Sequence, residues 1–378
     1  MSTQVNINNN MITWAIERAG FKLQDFIIKF PHIENWLQES KFPTVKQLEK
    51  FSQKVHLPFG YLFLKEPPEE KLPIPFFRTN NPQPIKVNIN IYDTIMLLQK
   101  RQNWLKDYLI ENEFENLNFV GKFKGKDNYF EIADDIRKTI GLKNDWAGKF
   151  QNWEETLEHL TNKIEDLRIV VTFNSVVENN NSRPIKVEDC RGFVLVDNIA
   201  PFMFINAADG KAAQMFTLAH ELAHIWTGYS AGFDFRQLQP ANHPMELLCD
   251  KVAAEFLVPE KSFICSWQDN NDIKQVARYF KVSPIVIARR ALDLGKISKN
   301  DFFEFYNDYI ENLNFKKIKK SSGGDFYATA KKRLSYTFAY HVNQAVKTNK
   351  LLFRDAYKLT SLKGNTYNTF INKYFINK

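Results

Sequence analysis

The stretch MFTLAHELAHIWTG, residues 215–228, carries the pattern on which the fold of this chain turns. Phe216, Leu218, Ala219, Leu222, Ala223, Ile225 and Trp226 leave almost no polar face, so the segment predicts a helix buried nearly all round. Inside it, His220-Glu221-Leu222-Ala223-His224 is an H-E-x-x-H pattern. Two histidines at i and i+4 lie one turn apart on one face, so both imidazoles can reach a single ion. On an exposed helix this pentapeptide would be an ordinary run of polar residues. In a buried helix, two histidines and a glutamate without partners are costly, and a metal removes that cost. Zinc fits such a site, with imidazole and carboxylate ligands, tetrahedral geometry and one open position, so one Zn2+ per chain is expected. Glu221 projects beside the ion, where it can take a proton from an attacking water instead of coordinating.

A third ligand is expected on the next helix, within MELLCDKVAAEFLVP, residues 245–259. Glu246 and Asp250 stand at i and i+4 and share a face, so Glu246 can ligate while Asp250 accepts the outer N–H of a ligand histidine. Glu255, farther down the helix, is the competing ligand. Cys249 reads as a buried small residue. Tyr229 and His243 flank the two metal helices and are candidate donors to the oxyanion of a tetrahedral intermediate.

Outward from these helices, LRIVVTF (167–173), GFVLVDN (192–198) and PFMFIN (201–206) predict strands, and the polar run VENNNSRP (177–184) predicts a loop. PFMFIN is a candidate sheet edge that could hold a peptide by strand addition. Residues 1–66 predict a module of short helices, like a small helix-turn-helix domain. Its recognition-position helix, IENWLQES, offers Glu34 and Glu39 but no base, which argues for packing over DNA reading. Six prolines in 65–87 predict an extended connector over 67–87, leading into a core that ends near 315. Residues 270–297 have helix-turn-helix form, with Val282-Ser283-Pro284 at the turn. Arg289 and Arg290 follow the turn, and packing is the preferred role over DNA contact. Residues 316–378 hold 14 Lys/Arg against Asp325 and Asp355. They predict a basic helical domain, with Lys331, Lys332, Arg333, Arg354 and Lys363 as candidate nucleic-acid contacts interleaved with tyrosines.

The runs RGFVLVDNIAPFMFINAADGKAAQMFTLAHELAHIWTG, MELLCDKVAAEFLVP and VARYFKVSPIVIARRALDLGKI resemble the ImmA/IrrE family of metallo-endopeptidases over roughly residues 60–300. The resemblance implies an α+β protein: a zincin-like protease core of small sheet and H-E-x-x-H helix, with helix-turn-helix appendages and the basic C-terminal domain. It implies His220, His224 and Glu246 as zinc ligands and Glu221 as the catalytic glutamate. The implied substrate is a repressor or antitoxin-like protein, cleaved to relieve repression. The rival is a DNA-associated regulator, or a toxin–antitoxin or defence partner, whose zinc is structural or whose site is silent.

Composition narrows the field further. At 44% hydrophobic and 25% charged the chain is not intrinsically disordered, and 33 phenylalanines supply ample core. No run approaches the roughly 18 apolar residues of a membrane helix, and MSTQVNINNN lacks a secretory signal's features. Cys190, Cys249 and Cys265 are too few for a disulfide framework, so a cytoplasmic protein with no membrane partner is expected.

Overall fold

The computed structural model describes residues 4–70, 72, 76–78, 88–234, 244–270, 272–315 and 324–376. Two compact units divide the chain: Met1–Pro73 with Lys86–Asp93, and Ile74–Ile85 with Thr94–Lys378. In the first, helices α1 (Asn9–Arg18), α2 (Leu23–Lys29), α3 (His32–Leu37) and α4 (Val45–Lys54) surround a core that includes Met11, Ile16, Phe26, Trp36, Leu48 and Phe51. A reciprocal pair of hydrogen bonds between Thr44 and Gln47 caps α4. The helix read as the recognition helix, α3, turns Ile33 and Trp36 into this core.

The second unit is mixed α+β. Helix α5 (Ile89–Glu111) begins in the first unit and continues into this one, followed by α6 (Tyr129–Ile140) and α7 (Trp153–Glu165). The main sheet is built from β1 (Phe76–Arg78), β2 (Val170–Asn174), β5 (Gly192–Leu195), β6 (Phe202–Asn206) and β7 (Ala231–Asp234), in the order β1-β7-β5-β6-β2. β6 runs parallel to β2 and antiparallel to β5, while β7 is antiparallel to β5 and parallel to β1. A separate hairpin pairs β3 (Val176–Val177) with β4 (Asn180–Pro184). Two expectations change here. PFMFIN is an interior strand, hydrogen-bonded on both sides, so it offers no edge for strand addition. The polar run 177–184 contains β4, whose residues are mostly exposed and so carry no apolar alternation. Within the expected connector, residues 76–78 form β1 at the sheet edge.

Helix α8 (Lys211–Thr227) packs on β5, β6, α6, α7 and α9 (Pro244–Leu257). Then follow α10 (Glu260–Asn270), α11 (Ile273–Phe280), α12 (Pro284–Asp293), α13 (Lys299–Phe315), α14 (Phe326–Leu334), α15 (Tyr336–Lys347), α16 (Phe353–Thr360) and α17 (Asn365–Ile371). The basic tail, expected as a separate domain, is part of this second unit. Phe338 packs edge-on against Trp104 of α5 and Phe202 of β6, both at 5.8 Å between centroids. Buried Arg101 donates to the Leu359 carbonyl at 2.8 Å.

Candidate metal centre

Helix α8 is held at both ends. Gln214 donates from its side chain to the carbonyls of Ala207 and Asp209, tying the first turn to the loop before it. Gly228 ends the helix at φ +78, a left-handed conformation that glycine adopts without steric cost. The amides of Gly121 and Phe123 then take the terminal carbonyls of Ile225 and Trp226, both at 2.9 Å. Trp226 stacks on Phe119 and donates its indole N–H to Asp135 at 2.9 Å, which satisfies its one polar atom in the core. From Thr217 to Thr227 every side chain is buried, so the sequence's apolar helix is the central helix of the unit.

Four donor side chains meet there. The Nε2 atoms of His220 and His224 lie 3.2 Å apart. Glu246, in the first turn of α9, places Oε2 3.0 Å from His220 Nε2 and Oε1 3.4 Å from His224 Nε2. On the far side of the ring, His220 Nδ1 lies 2.9 Å from Asp250 Oδ1. With Nδ1–H donating to that carboxylate, His220 Nε2 would present a lone pair to a bound cation in place of the proton it donates to Glu246. Two imidazole nitrogens and a carboxylate then converge as acceptors in a dry site, an arrangement that calls for a cation. Cys249 adds a fourth donor. Its sulfur and the two histidines form a group whose ligand atoms all lie within 4.8 Å of one another. Glu246 and Cys249 are three residues apart on one face of α9, a spacing that could have marked the cysteine in the sequence.

Electrostatics follow this geometry. Burial alone would raise the Glu246 carboxyl, yet its hydrogen bonds to both histidines hold it well below the ordinary range. Burial opposes charge on His220, but the Asp250 and Glu246 carboxylates raise it well above its usual value. His224 is lowered by burial. Glu221 is fully enclosed, and burial pushes its carboxyl up to about 8. Among the described residues, Glu221 Oε2 and His224 Nδ1 are buried without a hydrogen-bond partner. Strand β5 reaches this spot through Gly192, where a built Cβ would stand 2.4 Å from Thr217 Cγ2 and 3.1 Å from Glu221 Oε1.

Residues 164–292 match the model of a peptidase family described as the IrrE N-terminal-like domain. This segment is an ImmA/IrrE-family domain. Residues 334–373 match a second family, described only as a domain of unknown function. Comparisons with curated proteins and with solved structures give no match. The matched ImmA/IrrE segment contains all four donors and Glu221, and the peptidase family together with the donor cluster suggests a metal.

The remaining sequence candidates disperse. Glu255, the competing ligand, is instead ion-paired with buried Arg290 and lies 3.7 Å from Arg137. That pairing takes Arg290 out of any surface role and makes α12 a packing helix; Arg289 is exposed and pairs with Asp293 at 3.0 Å. Tyr229 is 41% exposed, so its side chain is turned largely to solvent. His243 lies outside the described residues. In the tail, Arg333 is half-buried and donates to Asn179 at 2.9 Å, and Lys332 reaches Glu154 at 3.4 Å. Lys331 lies over the rings of Tyr336 and Tyr374. Arg354 and Lys363 are exposed. No helix among the described residues is long and apolar enough to cross a membrane.

Proposed function

We propose that the chain is a zinc-dependent endopeptidase, with His220, His224 and Glu246 holding the ion and Glu221 moving the proton. The convergence of two imidazole Nε2 atoms and both oxygens of Glu246 within 3.0–3.4 Å carries this reading. Glu246 is preferred to Cys249 as third ligand because its two oxygens each face a different histidine. Bound zinc would lower the pKa of a water molecule and polarise a substrate carbonyl.

This chain's own residues do the rest. Asp250 fixes the tautomer and orientation of His220. Glu221, one residue after the first ligand and held in an apolar environment, accepts the proton of the attacking water and passes it to the departing amine. Its raised proton affinity suits that return step. The fixed walls of α8, α9 and β5 exclude bulk water and so strengthen these interactions. The proposed substrate is a regulatory protein such as a transcriptional repressor or antitoxin, whose cutting relieves repression. The test is proteolysis of candidate regulators by zinc-loaded wild type and Glu221→Gln. Loss of cleavage by roughly 100- to 10,000-fold in the variant supports the assignment. Equal cleavage by the two would overturn it.

The exposure of Arg354 and Lys363, in a tail that carries 14 Lys/Arg, favours a second role in DNA contact. Salt-dependent binding of a DNA duplex, weakened by Arg354→Glu with Lys363→Glu, is the expected sign; binding unaffected by both changes would refute it.

A further inference from the structure

Helices α15, α16 and α17 form a cluster that the metal centre does not use. Phe353 and Tyr357 of α16 meet Tyr367 of α17 at 6.3 and 5.3 Å between ring centroids. Tyr336 of α15 stacks at 5.0 Å on Phe375, in the helical turn Asn372–Ile376 that continues α17. Only Ser361 to Gly364 separate α16 from α17, and both of these residues take left-handed φ, +55 and +49. A turn this short between two packed helices is a helix-turn-helix connection. It is held from behind: Arg101 of α5 donates to the Leu359 carbonyl at 2.8 Å, and Asn179 donates to the Ser361 carbonyl at 3.0 Å.

The two helices present different chemistry outward. On α17, Tyr367, Phe370 and Ile371 are buried, while Asn365, Asn368, Thr369 and Asn372 are exposed. Their spacing, i, i+3, i+4 and i+7, places all four on one face. Asparagine and threonine are poor helix formers, and a face that met only water would be held better by Lys, Glu or Ala. Exposed Arg354 and Lys358 stand instead on α16, sharing Asp355 at 3.6 Å, and exposed Lys363 stands in the turn. From Lys347 through Lys373, six Lys/Arg face that one carboxylate in the sequence. Cations beside an uncharged row of amides match the division of labour on duplex DNA, where basic side chains hold phosphates and amides read base edges. An asparagine amide pairs with N6 and N7 of adenine in the major groove, and a threonine methyl packs on the thymine methyl.

We infer that α17 is a base-reading helix, which enters the major groove of duplex DNA and selects adenine-containing sites through Asn365, Asn368 and Asn372, with Thr369 against a thymine methyl. α16 and the turn supply the phosphate contacts. This rests on the proposed DNA contact of the tail and adds sequence selection to it. An acidic protein partner would use the cations and leave the amide row without a role.

The experiment presents the full chain with a library of randomised DNA duplexes and sequences what is bound. Affinities for the enriched duplex and a shuffled one are then measured by anisotropy across salt concentrations. A sequence with adenine at fixed positions should emerge, bound roughly a thousandfold more tightly than the shuffled duplex. Replacing a read adenine with 7-deazaadenine, which lacks the N7 acceptor, should weaken binding by about fivefold to 150-fold. Asn365→Ala and Asn368→Ala, both at exposed positions, should each cost the enriched duplex a similar factor and the shuffled duplex far less. Arg354→Glu should weaken both duplexes alike and flatten the salt dependence. Salt-dependent binding with no sequence enriched overturns base reading while sustaining the tail's DNA contact. Enrichment indifferent to both asparagine changes overturns the assignment to α17. Binding to no duplex at all overturns both readings.

Discussion

Gly192→Ala tests how tightly strand β5 is set against the metal helix. The glycine's φ lies outside the left-handed region, so alanine suits the backbone and only space is at issue. The added Cβ would stand 2.4 Å from Thr217 Cγ2, 3.0 Å from the Phe204 carbonyl oxygen and 3.1 Å from Glu221 Oε1. The first contact is impossible without movement, and Thr217 is buried, so its methyl cannot swing into solvent. The second is to backbone of the neighbouring strand β6, which is paired on both sides and cannot yield cheaply. Overpacking of this kind costs about 1–3 kcal/mol. Urea unfolding should report that loss, and peptidase activity should fall further because Glu221 is pushed from its position. Thr217→Ser removes the clashing methyl, so the double variant should recover a large part of the stability, leaving the carbonyl contact as residue. A Gly192→Ala stability within about 0.5 kcal/mol of wild type, the scatter of ordinary surface changes, would refute the reasoning. So would strict additivity in the double-variant cycle, since side chains in contact should couple.

Three further outcomes follow from the same structure. Burial pushes the Glu165 carboxyl up to about 7, against hydrogen bonds from the Ser335 hydroxyl and the Tyr336 amide. A raised folded value means stability that is full below the ordinary carboxylate range and is lost as pH climbs through about 7. The loss is about 2 kcal/mol, discounted from about 3 for partial exposure; calorimetry from pH 4.5 to 8 should show it in wild type and a flatter profile in Glu165→Gln. Arg290→Ala leaves Glu255 in the core with the Glu260 amide at 3.3 Å and Arg137 at 3.7 Å but without its close ion-pair partner, so denaturant unfolding should register a loss of about 3 kcal/mol. Glu255→Gln and Cys249→Ala should keep zinc while Glu246→Ala loses it, as measured by metal analysis after dialysis.

The grouping of His220, His224, Glu246 and Asp250 was legible in the sequence because its spacings are local. H-E-x-x-H is a spacing on one helix, and Glu246 with Asp250 is a spacing on the next, so each face follows from helical periodicity alone. The strands VVTF, GFVL and FMFIN announced themselves by buried β-branched and aromatic runs. What escaped is whatever depends on distant partners. Glu255 reads from the sequence as the competing ligand to Glu246, and Arg290, 35 residues away, claims it instead. The interior place of β6 depends on β2 pairing with it in parallel across the intervening chain, which no local pattern encodes. β1 has only three residues and β4 lacks apolar alternation, and the tail's charge concealed a buried face, including Phe338, that docks on α5 and β6. Gly192 looked like any strand-opening glycine, and its constraint comes from the helix behind it.

Metal content by elemental mass spectrometry on purified wild type, Glu221→Gln and His224→Ala tests the central claim most directly. The account predicts about one zinc per chain in the first two, in line with a structural set of ligands that excludes Glu221, and loss in the third. No metal in wild type after chelator-free purification and zinc addition would contradict it, as would zinc retained undiminished in His224→Ala.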